Sequence, residues 1–425
     1  MSNTILFEPL ALPNGTTLPN RIGKAAMEED MADRGQVPGS ALCELYRRWA
    51  AGGAGLLISG NVMIDRHAVT GPGAVVLERD TALEPFARWA EAGKRGANQF
   101  WLQINHPGRA LQADMGGRVW APSAVPLSLG KHSKLFGRPM AMTAENIAEV
   151  VERFADTARR AEQAGFDGVE LHGAHGYLLS QFLSPLSNHR RDRWGGSLEN
   201  RARLLLDVVR AIRAVVKPRF GLGVKLNSAD FQRGGFDTED SQQVVRWLNE
   251  LAVDLIEVSG GTYESQAMQG RPADQRTMER EAYFLEFARD IANVATFPVM
   301  TTGGIRRPEV AARVLAAAVS VVGMATALAF VPDLVERWRR GESQAVALRT
   351  AAWRDKSMVS AATIAQTARQ LHRMGRGEDP LINPSPLWSL VSDRARRKLL
   401  LRRFRRWTSG RWVGRTSERN SMLTS

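Results

Sequence analysis

The feature that most constrains the fold of this chain is a repeating alternation of short apolar segments with helix-like segments. Apolar runs bounded by glycine, proline or polar residues are typical of buried strands. Eight occur in order, at residues 21–27, 55–59, 99–104, 166–171, 221–226, 254–258, 298–301 and 319–324. Helical segments follow them at residues 40–51, 83–95, 143–163, 198–216, 241–251, 280–292, 308–318 and 332–340. Eight such units predict an α/β fold of the (β/α)8 TIM-barrel type.

A doubly wound α/β sheet is the main alternative for such alternation. The count of eight units, and the lack of an early G-x-G-x-x-G motif after a strand, favour the barrel. Residues 105–142 are rich in glycine and proline and predict a loop insertion after the third strand. We therefore expect a barrel over residues 1–345, a helical extension packed on it over residues 346–386, and a basic, mobile tail over residues 387–425.

The positive charge of the chain is concentrated near its C-terminus. The 425 residues carry a net charge of +13, and residues 391–420 alone carry +9, from eleven basic and two acidic residues. The rest of the chain is close to neutral, so its charge says little about the substrate. Leu400, Leu401, Phe404 and Trp407 recur at helical spacing between arginines. This pattern predicts an amphipathic basic helix that contacts an anionic membrane or phosphates, or else a solvated extension.

The remaining composition excludes several classes of protein. No apolar run reaches the roughly 18 residues that suggest a membrane span. The N-terminal residues lack the pattern of a signal peptide. Cys43 is the one cysteine, so an internal disulfide and a multi-thiolate metal site are excluded, and no His, Asp and Glu spacing suggests a metal. These features together predict a cytoplasmic protein without a metal.

Polar residues follow the ends of several predicted strands, which is where the reactive face of a barrel lies. His172 and His175 follow the fourth strand, and Tyr177 lies two positions further on. Two imidazoles and a phenol could polarise a carbonyl oxygen and supply a proton, although buried structural histidines are the alternative. Gly303 and Gly304 precede a helix after the seventh strand, a pattern typical of a phosphate cradle or simply of a turn.

Several longer motifs carry a family resemblance. They are LFEPL at residues 6–10, NRI at 20–22, QINHPGR at 103–109, HGAHGYL at 172–178, FLSP at 182–185, WGGSLENR at 194–201 and TGGI at 302–305. With these motifs in this order, residues 4–375 resemble the old yellow enzyme family, the FMN-dependent ene-reductases and NADH:flavin oxidoreductases.

The resemblance implies a reaction and a role for each of the three donors. FMN would lie across the barrel mouth, accept hydride from NADH or NADPH, and deliver it to a small-molecule activated alkene. His172 and His175 would hydrogen-bond the carbonyl or nitro oxygen of the substrate, and Tyr177 would protonate its α-carbon. Related barrels also perform demethylase or monooxygenase-linked chemistry, and the sequence leaves open whether the protein forms a homo-oligomer.

The resemblance also implies a set of residues that bind the cofactor. Gln103 would bond the pyrimidine edge of the flavin, and Lys225 would replace the usual arginine beside N1 and the C2 oxygen. Backbone groups of Ala25, Ala26 and Gly60 would meet the isoalloxazine. The other members of the expected set are Met27, Glu28, Gly303, Gly304, Ala325 and Thr326.

Three positions depart from the family pattern. Glu28 stands where relatives carry Cys or Thr, and a carboxylate there lowers the flavin potential unless it is protonated or turned away, for example towards Arg109. Thr326 replaces an arginine that binds the phosphate, which predicts weaker retention of FMN. A single cysteine excludes the larger iron–sulfur dienoyl-CoA reductase type. The alternative function is therefore a flavin-poor barrel that binds a partner and docks to membrane or nucleic acid through its basic tail.

Overall fold

Eight parallel strands close into a barrel in the computed structural model, which describes residues 3–265, 281–343, 346, 351–353 and 355–409. The first and second strands pair with each other, and the first also pairs with the eighth, which closes the barrel. The strands are β1 Ile22–Lys24, β2 Leu56–Met63, β3 Gln99–Asn105, β4 Gly168–Gly173, β5 Gly221–Asn227, β6 Leu255–Ser259, β7 Val299–Thr301 and β8 Val321–Met324. The predicted (β/α)8 fold is confirmed.

Helices surround the barrel and extend beyond it. Thr143 begins the third helix with a capping box in which its side chain and that of Asn146 satisfy each other's backbone N–H groups. The described helices are α1 Ser40–Ala51, α2 Glu84–Gly93, α3 Ala144–Gln163, α4 Leu178–Leu183, α5 Leu198–Arg213, α6 Thr238–Leu248, α7 Leu285–Ala292, α8 Pro308–Ala316, α9 Thr326–Phe330, α10 Leu334–Arg339, α11 Lys356–Gly375 and α12 Pro386–Thr408.

A fully buried tryptophan fills the lower part of the barrel interior. Trp101 on β3 packs with Leu56, Leu255 and Met300. Glycines on β4 and β5 make room for its indole: a Cβ at Gly168 or Gly221 would lie 2.8 Å or 2.3 Å from the Trp101 ring. Any larger residue at either position would therefore displace the indole. The filled interior leaves the C-terminal ends of the strands as the face on which a site can form.

The predicted insertion after β3 carries little regular structure. Residues 105–142 contain short 3₁₀ turns and two strands of two residues, Trp120–Ala121 and Met140–Ala141, which pair with each other in parallel. Gln112 also forms an isolated antiparallel bridge with Phe136. The insertion therefore forms a wall of irregular backbone beside the barrel mouth.

The basic segment of the chain differs from the predicted mobile tail. Residues 387–408 form nearly all of α12, and its apolar side packs against the barrel. Phe404 is buried with Met63 and Met115, and Leu401 and Trp407 pack against the same cluster. The apolar side that was expected to face a membrane is thus covered by protein. An amphipathic pattern is compatible with either contact, so the sequence alone did not distinguish them. Residues 410–425 lie outside the described residues, and no described helix has the length and apolar character needed to cross a bilayer.

Candidate active site at the barrel mouth

A tight turn after β4 brings the two histidines and the tyrosine together. His175 adopts a left-handed backbone conformation, with φ of 61°, and its backbone N–H donates to Asn227 Oδ1 at 3.1 Å. Tyr177 then precedes α4 as its N-cap residue. His172 Nε2 lies 3.2 Å from His175 Nδ1, and the rings of His172 and Tyr177 are 4.7 Å apart and perpendicular. The predicted group of donors therefore shares one place at the mouth.

Both imidazoles are neutral near pH 7. Burial, and after it His175 and Lys225, lowers the pKa of His172 well below its usual value. Burial and Lys225 lower the pKa of His175 to about 3. A neutral imidazole can donate one hydrogen bond without transferring its proton to the acceptor.

Ser259, at the end of β6, extends this pair into a chain of hydrogen bonds. His175 Nε2 lies 2.7 Å from Ser259 Oγ, so both nitrogens of His175 have protein partners. His172 Nδ1 is buried and has no partner among the described residues. If Ser259 donates to His175 and His175 donates to His172, the remaining N–H of His172 is free for a ligand oxygen. In that arrangement His172 is the donor to a ligand and His175 supports it.

Buried charges lie directly beside these neutral donors. Lys225 Nζ is 2.9 Å from Glu257 Oε1 and 3.9 Å from Glu170 Oε2, and Gln103 Nε2 donates to Glu170 at 2.6 Å. The strand register makes Lys225 the neighbour of both Glu257 and His172. Burial alone would lower the pKa of Lys225, but Glu257 and Glu170 raise it above its usual value. The lysine therefore stays charged.

Glu28 lies after β1 and does not contact Arg109. Its carboxyl oxygen accepts hydrogen bonds from Asn61 Nδ2 at 2.6 Å and Thr70 Oγ1 at 3.2 Å, whereas Arg109 pairs with Glu264. Burial, followed by repulsion from Asp30, raises the pKa of Glu28 well above its usual value. The raised pKa favours the protonated, neutral carboxyl among the arrangements that the sequence left open.

The backbone N–H of Gly60, a residue expected to meet the isoalloxazine, contacts a second carboxyl, that of Glu29. Gly60 N–H donates to Glu29 Oε1 at 2.8 Å, and a Cβ at this position would lie 2.1 Å from the other Glu29 oxygen. Glu29 also accepts from the Tyr46 hydroxyl, which in turn accepts from Lys24 Nζ at 3.0 Å. Burial lowers the pKa of Lys24 to about 8. No sequence motif signalled this network.

The glycine pair after β7 has the geometry of a cradle. Gly303 and Gly304 have φ of 132° and 74°, a region that favours glycine, and a Cβ at Gly303 would lie 3.0 Å from the backbone N of Tyr283. Thr326, which follows Ala325 and begins the short helix α9, contributes no charge here. The cations that follow the cradle along the chain are Arg306 and Arg307, which the sequence analysis did not single out; both pair with Glu281.

FMN fits these groups. Lys225 offers a cation, Gln103 an amide oxygen and residues 303–304 an open backbone turn. Residues 25–27 continue from β1 towards the mouth, with Ala25 N–H held by Met324 O at 2.8 Å. Several buried polar atoms on the strand ends have no partner within the described residues, as expected where a polar ligand binds. Besides His172 Nδ1 they are Asn61 Oδ1, both amide atoms of Asn105, Glu170 Oε1 and Glu257 Oε2.

Comparison with known proteins agrees with this geometry. Residues 5–344 match the model of the NADH:flavin oxidoreductase / NADH oxidase family. The chain is 36% identical over 348 residues to the NADH-dependent flavin oxidoreductase iliE of Hypocrea jecorina, covering 77% of this chain and 86% of that protein. It is 39% identical over 323 residues to the iliE protein of Neonectria sp., covering 70% of this chain and 42% of that longer protein.

Solved structures show the same fold. The complex of 2-naphthoyl-CoA reductase with 2-naphthoyl-CoA matches with a TM-score of 0.73 at 25% identity, over 80% of this chain and 53% of that one. Morphinone reductase in complex with tetrahydroNAD matches with a TM-score of 0.66 at 25% identity, over 80% of this chain and 92% of that one.

The barrel and its site define a class of FMN-dependent oxidoreductases that take electrons from NADH or NADPH. Within that class, this chain belongs to the NADH:flavin oxidoreductase / NADH oxidase family, the old yellow enzyme group.

Proposed function

We propose that this protein reduces the C=C bond of an activated alkene, such as an enone, with electrons taken from NADH or NADPH. The observation that carries the proposal is the buried His172 Nδ1, which has no described protein partner and lies in one group with the phenol of Tyr177. A hydrogen-bond donor and a proton donor in one place suit a substrate that gains negative charge on oxygen and a proton on carbon.

His172 binds the substrate carbonyl oxygen in this proposal. When bound, FMN supplies the hydride for the β-carbon of the alkene. The N–H of His172 then stabilises the enolate charge, and it does so best as a neutral donor that keeps its proton. The contact from His175 fixes the orientation of this donor. Tyr177 gives its proton to the α-carbon, which completes the saturated product.

Lys225 and Gln103 position the cofactor. A cation favours the anionic form of a reduced flavin, and the Lys225 ammonium keeps its charge because Glu257 and Glu170 flank it. Part of that positive charge is compensated by Glu257, whereas burial and Glu257 raise the pKa of Glu170 well above its usual value and so favour its neutral form. We therefore expect Lys225 to favour the anionic reduced form less than an unpaired arginine would.

The test is anaerobic reduction of the FMN-loaded protein followed by reoxidation. NADH or NADPH is expected to bleach the yellow colour, and cyclohexenone is expected to restore it with formation of cyclohexanone. Cyclohexanone, which lacks the C=C bond, serves as the matched control and should leave the protein bleached. Protein that is bleached but is reoxidised by no enone or nitroalkene would refute alkene reduction, while leaving oxidation of the nicotinamide intact.

A further inference from the structure

A second phenol contacts the proton donor at the barrel mouth. Tyr263 follows β6, and its hydroxyl oxygen lies 3.2 Å from that of Tyr177. The two rings are 5.8 Å apart and meet at 76°. Tyr263 is thus the hydrogen-bond partner of the Tyr177 hydroxyl among the residues that the structure describes.

The segment that carries Tyr263 is held by the insertion after β3. The next residue, Glu264, accepts from the Arg109 guanidinium at 2.6 Å and from the Ser128 backbone N–H at 2.8 Å. The Arg109–Glu264 ion pair is mostly buried, with the two side chains 5% and 13% exposed. Phe136 packs against the Tyr263 ring at 5.5 Å, edge to face. Residues from the insertion therefore fix the direction of the second phenol.

The burial of Tyr177 makes its phenolate unfavourable unless a neighbouring group donates a hydrogen bond to it. Burial raises the pKa of Tyr177 well above its usual value, and Tyr263 raises it further while Tyr177 is the donor of their hydrogen bond, so the phenol keeps its proton and forms a phenolate only at high cost. Once Tyr177 has given up its proton, Tyr263 is the member of the pair that can donate. A hydrogen bond donated to the charged form reduces that cost. Burial also raises the pKa of Tyr263, so its hydroxyl is protonated and able to donate.

We propose that Tyr263 is a positioning residue that donates a hydrogen bond to Tyr177 and stabilises the phenolate formed during proton transfer. The inference rests on the proposed alkene reduction. In this step the O–H bond of Tyr177 breaks and a C–H bond forms at the substrate α-carbon. The electron pair left on the Tyr177 oxygen accepts the hydrogen bond from Tyr263, and a proton from solvent then restores the phenol.

The kinetic test is Tyr263→Phe, which removes the hydroxyl and keeps the ring that packs on Phe136. We expect the rate of flavin reoxidation by an enone to fall about ten- to a hundredfold, because a hydrogen bond to a charged group is lost. The rate of flavin reduction by NADH or NADPH should stay within about twofold. An unchanged reoxidation rate in a variant that folds would overturn the proposal.

A double-mutant cycle separates positioning from general structural damage. Tyr177→Phe and the double variant Tyr177→Phe/Tyr263→Phe should reoxidise at the same rate, because Tyr263 acts only through the Tyr177 oxygen. A further loss in the double variant of the same size as in Tyr263→Phe alone would show independent roles and contradict the proposal.

A spectroscopic readout does not depend on turnover. The chain contains four tyrosines, so protein labelled with ¹³C at the tyrosine ring carbon that bears oxygen gives four signals to assign. Tyr263→Phe should remove one signal and shift that of Tyr177; an unshifted Tyr177 signal would contradict the contact. If no enone reoxidises the wild type, the proposed function fails even where this shift is seen. If enones reoxidise the wild type and Tyr263→Phe equally, only the role of Tyr263 fails.

Discussion

Two neighbouring groups at the barrel mouth are buried alike but carry charge differently. The group after β4, His172, His175 and Tyr177, is neutral, because burial disfavours the charged forms and no carboxylate among the described residues contacts the imidazoles. The group one strand away keeps a full charge on Lys225, because Glu257 lies opposite it in the sheet. Of these two groups, the one that keeps its charge is the one in which strand register places an opposite charge beside the buried side chain.

The largest expected effect comes from breaking the charged group. Lys225→Met leaves Glu257 without its cation, and such an unpaired buried charge costs about 3–5 kcal/mol in the free energy of unfolding. Lys225→Met/Glu257→Gln should recover part of this loss. Urea unfolding of the flavin-free proteins measures both. A double variant no more stable than Lys225→Met would show that the pairing across β5 and β6 is not what keeps the charge.

A smaller effect is expected from the neutral group, and in activity rather than stability. His172→Ala removes the donor to the substrate oxygen, so reoxidation of reduced flavin by an enone should slow about a hundred- to a thousandfold. Flavin reduction by NADH or NADPH should change little. Stopped-flow measurement of the two half-reactions tests this, with exposed His189→Ala as the matched control. Equal losses in both half-reactions would assign His172 to the cofactor instead.

The smallest effect concerns a buried histidine outside both groups. Burial, followed by Arg396, lowers the pKa of His372 on α11 to about 3, and its ring contacts the Glu29 carbonyl at 3.1 Å. Between that pKa and about pH 6.5, His372 binds a proton in the unfolded chain but not in the folded protein. The free energy of unfolding therefore decreases by about 1.4 kcal/mol for each unit by which the pH falls in this range.

His372→Gln keeps an amide able to hydrogen-bond the carbonyl and removes this titration. Its free energy of unfolding should therefore fall less steeply than that of the wild type between about pH 6 and about pH 4. The difference between the two proteins cancels the contributions of the other histidines and of the carboxyls. Parallel pH profiles would mean that His372 binds its proton equally well in the folded and unfolded chain, and would contradict the lowered pKa.

Local patterns predicted the barrel and the donors after β4, because strand periodicity and the spacing of His172, His175 and Tyr177 lie within short stretches. Ser259 and Tyr263 lie 84 and 86 positions along the chain from their partners His175 and Tyr177. Glu257 likewise meets Lys225 only through the pairing of two strands. No local pattern reports such contacts. The spacing of apolar residues in the basic segment predicted a C-terminal helix, but it did not predict the surface that the helix packs against. A protein surface and a bilayer both favour the same apolar stripe on a helix.

The late position of α11 and α12 in the chain has a consequence for how the site is completed. Arg396 and Arg403 donate to the carbonyls of Asp30 and Ala32, and His372 contacts that of Glu29, so the last helices bind the backbone that follows the first barrel strand. On the ribosome, all eight strands emerge before these contacts can form. The loop carrying Glu28 therefore gains these contacts only after the whole barrel has been synthesised.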